Sequence, residues 1–348
     1  MRAARMHGYK QPLQIEDVPE PEPGPNEVLV RVRATGMCRS DYQLLDGYFP
    51  IELDFPYIPG HEIAGEVAQL GAGVSGLSEG DLVVVDPAWG DGTCRQCHEG
   101  NEQLCTGSGG WIGFGPPGGF AEYVVVPSRH LIRPDTDLKP EYLAPLTDAG
   151  LTPYRGMKKL RATGRLGPGH TVVVSGIGGL GSYGVQYARL LGDGATVVAF
   201  ARDEDKLAVA RENGADHGVN TRGKVPDQVR AELAELTGRD DVDCALDCSG
   251  APQSLELNAA LLAAEGALVS VGLMGQRFEL PLFPFVSGER TFSGSFWGNH
   301  NDLTEVLALA GQGRVKHTVT PIKLDDINTK LEALARGEVI GRQVVVFD

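Results

Sequence analysis

The chain has 348 residues, of which 42% are apolar and 22% charged. That is a folded, soluble composition, and the length favours two domains over a single core. A formal net charge of −15 argues against binding nucleic acid or an anionic membrane through a general basic face. No apolar run follows Met1-Arg2-Ala3-Ala4-Arg5, and no stretch approaches membrane-spanning length. Neither a signal peptide nor a span is therefore expected, and the expected location is the cytoplasm. Six Cys in a chain of this size do not make a disulfide scaffold. Cys94, Cys97 and Cys105 fall close together, which in a cytoplasmic protein favours a metal over a disulfide.

In chain order, residues 1–148 read as short strands broken by Gly and Pro. Pro19-Glu20-Pro21-Glu22-Pro23-Gly24-Pro25 excludes helix and central strand and marks a surface connection. Val28, Val30, Val32 and Ala34 alternate with Leu29, Arg31 and Arg33, a strand period whose end delivers Gly36-Met37-Cys38-Arg39-Ser40-Asp41. Ile63–Val67, Leu82–Val85 and Ala121–Val126 are further expected strands, so this part is β-rich with irregular loops. After it the pattern changes to alternating strand and helix. Thr171–Val174 is an apolar strand, followed by a glycine loop and a helix with Leu180, Val185, Ala188 and Leu191 on its apolar faces. Thr196–Phe200 is the next strand, and Asp203 suits the cap of the following helix. A helix through Val229, Leu233 and Leu236 precedes the strand Val242–Asp247, then come a helix near 253–262 and a strand over 267–271. Repeated units of this kind imply a parallel sheet covered on both faces, assigned here to 149–295. The tail, 296–348, contains a helix near Leu303–Ala310 and the strand Arg342–Val346, which is expected to return to the first domain.

The loop Gly176-Ile177-Gly178-Gly179-Leu180-Gly181 lies between an expected strand and an expected helix. In that context its glycines permit the tight turn, the approach of a pyrophosphate and close helix–strand packing. The helix N-terminus then faces the phosphates, so a dinucleotide is the expected cofactor. An acid at the end of the second strand would select NAD; here Ala201 stands in that place and Arg202 follows, which leans to NADP. Asp203 keeps NAD open, because a shift of one residue returns a carboxylate to the ribose.

Two sets of residues suit zinc. Cys38, His61 and Asp148 offer thiolate, imidazole and carboxylate, three protein ligands that leave a fourth position open for water or substrate. Asp41 is expected to orient His61 through its second ring nitrogen. Glu62 is adjacent, either as an alternating fourth ligand or as support. The second set is Asp91, Cys94, Cys97 and Cys105, whose spacing suits a closed tetrahedral site, with His98 as a rival ligand. A carboxylate is harder than a thiolate, so this site should be the more labile. Two zinc ions per chain are expected.

Taken together, the proline-rich entry, Gly36–Asp41, Gly60–Glu62, the Cys cluster, Leu146–Gly150, the glycine loop and Gly341-Arg342 resemble the zinc-containing alcohol dehydrogenases of the medium-chain dehydrogenase/reductase family, in particular bacterial and archaeal members. The resemblance implies a GroES-like catalytic domain over 1–148 and 296–348 and a Rossmann domain over 149–295. It further implies Ser40 as the first step of a proton relay, Arg39 and Arg342 on the pyrophosphate, Lys206 and Val271 among the cofactor contacts, and Trp89 and Trp111 as walls of the substrate pocket. A homodimer or homotetramer is implied as well. Where some members continue the relay with a His, this chain has Gln43, so the proton is expected to leave through cofactor ribose and water.

The expected chemistry is hydride transfer between a primary or secondary alcohol and NAD(P), interconverting alcohol and aldehyde or ketone. A zinc-free quinone or enone reductase of the same fold would not need Cys38, His61 and Asp148 together. A non-enzymatic nucleotide-binding protein would need neither a metal set nor a relay hydroxyl.

Overall fold

The structure, a computed structural model, describes residues 1–107 and 110–348. It divides into two units, Met1–Leu151 with Gly298–Asp348, and Thr152–Trp297.

The first unit is built, among the described residues, on a sheet ordered Val319–Ile322, Arg342–Val346, Glu27–Met37, Glu62–Leu70, Leu82–Val85, Leu131–Ile132, with Tyr123–Pro127 also paired to Glu27–Met37. Strand alternation supplies its core: Val28, Val30, Val32, Ile63, Val67, Val83, Val124 and Val126 are buried together. Register decides what happens at one end of this sheet. Gly36 pairs with Glu62 and Met37 with Gln343, both antiparallel. The residues just beyond those pairs, Cys38, His61 and Arg342, are thereby delivered to one place. Position 36 must be glycine, because a Cβ there would lie 1.7 Å from Glu62 Oε2.

The second unit carries a parallel sheet ordered His217–Asn220, Thr196–Ala201, Thr171–Ser175, Val242–Asp247, Leu262–Ser270, Thr291–Gly294. Numbered within the unit, that is the order 3-2-1-4-5-6 of a doubly wound nucleotide-binding sheet. Val173, Val198, Phe200, Val219, Ala245 and Leu268 form its core with Val229, Leu233 and Leu255 from the covering helices. The helices Gly179–Leu191, Glu204–Glu212, Pro226–Thr237 and Pro252–Leu261 follow successive strands. The helix Leu151–Ala162 was not read from sequence. No described helix is long and apolar enough to cross a membrane.

Candidate active site

Cys38 ends the Glu27–Met37 strand and opens the helix Arg39–Leu45. Asp41, in the first turn of that helix, is fully buried and has two tasks. Its Oδ2 accepts from the Cys38 backbone N–H at 2.8 Å, and its Oδ1 lies 3.1 Å from His61 Nδ1. The helix start and the imidazole are therefore fixed by one carboxylate. Burial alone would depress the His61 pKa, but the Asp41 and Asp148 carboxylates hold it well above the ordinary value. Asp148 follows the short 3-10 turn Ala144–Thr147 and brings its Oδ2 to 3.5 Å from His61 Nε2.

These residues fit a zinc ion. Ligand atoms around tetrahedral zinc stand about 3.3–3.8 Å apart, given metal–ligand bonds of about 2.0–2.3 Å. The ligand atoms of Cys38, His61 and Asp148 all lie within 4.8 Å of one another, and all three residues are buried. Ser40, in the first turn of the helix, is half-buried with its Oγ 3.6 Å from Cys38 Sγ.

Glu62 stands outside that set. Its Oε2 accepts from Arg342 Nε at 2.9 Å, and its Oε1 accepts from the Ala149 backbone N–H at 2.9 Å and from Arg342 Nη2. Arg342 Nη2 also donates to Asp148 Oδ2 at 2.7 Å. The guanidinium thus ties the carboxylate of Asp148 to that of Glu62. Burial pushes the Glu62 carboxyl up to about 7, against the pull of Arg342. Arg39 donates from Nη1 to the Leu334 and Ala335 carbonyls at 3.3 and 3.1 Å, and its buried Nε has no hydrogen-bond partner.

Asp91, Cys94, Cys97 and Cys105 form the second group, with ligand atoms likewise within 4.8 Å. Sulfur separations of 3.6 Å for Cys94–Cys97 and 3.9 Å for Cys94–Cys105, and 3.7 Å from Cys97 Sγ to Asp91 Oδ1, are those of ligands around a zinc rather than of disulfides. The backbone N–H groups of Thr106 and Cys97 bring the Cys94 thiol down to about 6, towards the thiolate that binds metal. His98 is exposed and outside the group.

The two tryptophans differ. Trp89 donates from Nε1 to the Asp86 carbonyl at 2.9 Å and stacks on His130 with ring centroids 5.7 Å apart; it also packs against the sheet core. Trp111 is more exposed, on the short strand Gly110–Trp111. Sequence reasoning missed Phe114, whose ring centroid is 5.1 Å from that of His61, and Phe49, which meets Phe114 edge-on at 5.4 Å. No motif surrounds either residue, so only the folded chain brings them to His61.

In the second unit, Gly176 has φ +86° and abuts Ser249, and a Cβ on Gly181 would lie 2.1 Å from the Gly176 carbonyl. A Cβ on Gly178, by contrast, would meet nothing within 4 Å. Packing within the chain does not demand that glycine, whereas a pyrophosphate approaching the backbone does. Ile177, Gly179 and Leu180 complete the turn into the helix Gly179–Leu191. Ala201, buried, ends its strand, and Arg202 beyond it is exposed. Lys206 Nζ lies 3.9 Å from Asp203 Oδ2. Val271, also buried, is pinned by its N–H to the Asp247 carbonyl at 2.9 Å.

Residues 24–136 match the family model described as alcohol dehydrogenase GroES-like domain, and residues 179–312 that described as zinc-binding dehydrogenase. An NAD-dependent alcohol dehydrogenase of Sulfurisphaera tokodaii is 35% identical over 357 residues, covering 99% of this chain and 100% of the relative. A D-arabinose 1-dehydrogenase (NADP(+)) of Saccharolobus solfataricus is 35% identical over 349 residues, covering 99% and 97%. The crystal structure of the alcohol dehydrogenase from the hyperthermophilic archaeon Aeropyrum pernix superposes with a TM-score of 0.93 at 38% identity, covering 100% of both chains.

Proposed function

The chain belongs to the zinc-binding alcohol dehydrogenases of the medium-chain dehydrogenase/reductase family, enzymes that interconvert alcohols and carbonyl compounds with a nicotinamide cofactor; from that premise we propose that Cys38, His61 and Asp148 hold its catalytic zinc, that Asp91, Cys94, Cys97 and Cys105 hold a second, structural one, and that NADP is the preferred cofactor. The observation that carries the reading is the buried meeting of Cys38, His61 and Asp148 within 4.8 Å. Bound there, zinc supplies Lewis acidity towards the alcohol oxygen, and the nicotinamide supplies the hydride acceptor.

The chain's own residues do the rest. Asp41 takes the Nδ1–H of His61, which leaves Nε2 as the ligand atom. Arg342, itself held by Glu62, positions Asp148 by donating to one of its oxygens. Ser40 takes the hydroxyl proton, a role supported by its Oγ lying beside the Cys38 thiol. With Gln43 in place of a relay histidine, that proton leaves through ribose and water. Arg39 is the better of the two candidates for the pyrophosphate, since its Nε still lacks a hydrogen-bond partner, while Arg342 is committed to two carboxylates. Phe49 and Phe114 join Trp111 as candidate apolar walls for the substrate.

The NADP preference is supported by Ala201 and Arg202 at the strand end, because a neutral residue followed by a guanidinium suits a 2′-phosphate. Kinetics of wild type, Arg202→Ala and Ala201→Asp with both cofactors test it. Arg202→Ala should weaken NADP use by about 1.5–3 kcal/mol, the scale of a hydrogen bond to a charged group, and leave NAD nearly unchanged. Equal losses for both cofactors would refute the preference. The reading also takes the protein as a cytoplasmic homodimer or homotetramer, in keeping with six free cysteines and the exposed apolar helix Leu282–Ser287.

A further inference from the structure

Arg202 is not the only cation at the carboxyl end of the Thr196–Ala201 strand. The turn after the His217–Asn220 strand comes back to it. The Thr221 backbone N–H donates to the Ala201 carbonyl at 2.8 Å, which pins the turn to the strand end. Arg222, the next residue, then donates from Nε to the Arg202 carbonyl at 2.9 Å and pairs through Nη2 with Asp203 Oδ1. Lys206 Nζ lies 3.9 Å from the other oxygen of Asp203. Both oxygens of the one carboxylate that could serve a ribose therefore face cations. Of the remaining acids in the first helical turn, Glu204 accepts from Asn220 Nδ2 at 2.8 Å, and Asp205 is exposed.

We infer that Arg222 is a specificity-determining residue: by clamping Asp203 it withholds that carboxylate from the adenosine ribose, and with Arg202 and Lys206 it gives the strand end the cationic surface that a 2′-phosphate requires. The inference rests on the NADP reading above. It explains how an acid two residues beyond Ala201 coexists with that reading, since a free carboxylate there would repel the phosphate and accept from the ribose hydroxyls of NAD. The pair is not there for stability. The side chains of Arg222 and Asp203 are 65% and 43% exposed, and surface pairs of that kind contribute little to folding.

The test uses the purified full chain and reads binding directly. Dissociation constants for NADP and NAD are measured on wild type, Arg202→Ala, Asp203→Ala, Arg222→Ala, Arg222→Lys and the double variant Arg222→Ala/Asp203→Asn. The rise in melting temperature given by adenosine 2′,5′-bisphosphate is compared with that given by adenosine 5′-monophosphate. Arg222→Ala should lower the NADP-to-NAD affinity ratio about tenfold or more and remove most of the extra melting shift of the bisphosphate. Arg222→Lys should recover part of the ratio, and so should Asp203→Asn placed on Arg222→Ala, because no carboxylate is then released. If wild type prefers NADP and Arg202→Ala loses it while Arg222→Ala keeps the ratio, the inference about Arg222 falls and the NADP reading stands. Equal losses of NADP and NAD in Arg222→Ala would also overturn it, as the mark of a merely structural arginine. If wild type binds NAD more tightly and Asp203→Ala is the damaging change, both fall together.

Discussion

At the scale of single residues, the site depends on carboxylates that each hold two partners. Asp41 joins the Cys38 backbone to the imidazole of His61, and Glu62 joins Arg342 to the Ala149 backbone. Cys38, His61 and Asp148 could be proposed as zinc ligands from the sequence because their local contexts and joint presence suit that chemistry, and Asp41 because a ligand histidine needs an acceptor. Arg342 was not fully legible. Its family role looks outward to a pyrophosphate, whereas its buried guanidinium is engaged with Glu62 and Asp148, a fact fixed by strand register rather than by any motif. Arg222 was missed because its partner, Asp203, lies one strand and one helix earlier. The residue-scale prediction concerns Ser40. Ser40→Ala should reduce kcat about 10²–10⁴-fold, the worth of a positioned proton acceptor, with the dissociation constant for NADP changed far less. A turnover number unchanged where hydride transfer limits the rate would remove Ser40 from the chemistry.

At the scale of elements, long periodic segments were readable and short ones were not. The strand expected around Val28–Ala34 is Glu27–Met37, and the helix expected near Leu303–Ala310 is His300–Gly311, since burial on one face dictates both. The helix Leu151–Ala162 contains Pro153 and Gly156, which weaken any local signal and leave tertiary packing to decide. The strand Val319–Ile322 contains Pro321 and is tolerated because it sits at the edge of its sheet. Another edge carries a prediction. Thr291–Gly294 ends the parallel sheet with one side unpaired among the described residues. The helix just before it, Leu282–Ser287, leaves Leu282, Phe283 and Val286 exposed at 77%, 81% and 68%. Soluble proteins seldom leave so much apolar surface and an open strand edge uncovered. Phe283→Asp combined with Val286→Asp should therefore convert the proposed oligomer to a smaller species in sedimentation while the protein stays folded. An unchanged sedimentation coefficient would assign the subunit contact to another face.

At the scale of the whole molecule, net charge of −15 favours solubility and leaves stability to the two cores. The acid limb of stability has an identifiable contributor in the first unit. His130, 3% exposed and stacked on Trp89, is pushed down to about 3 by burial, with Arg129 and His300 adding to the effect. A folded pKa below the unfolded value of about 6.5 means that the stability it lends is complete above about pH 6.5 and is lost as pH falls towards about 3. At pH 4.5 the loss should be about 2–3 kcal/mol, so His130→Phe should lose less stability than wild type between pH 7 and pH 4.5. Parallel losses in denaturant titrations at the two pH values would contradict that assignment. The central claim concerns zinc at Cys38, His61 and Asp148, and one measurement on Cys38→Ala tests it most directly: zinc content per chain together with alcohol-dependent reduction of NADP and of NAD. The account predicts two zinc ions per chain in wild type, one in the variant, and no measurable turnover with either cofactor from a protein that still binds them. Turnover at the wild-type rate, from a variant that has lost a zinc ion or from one that has lost none, would contradict it.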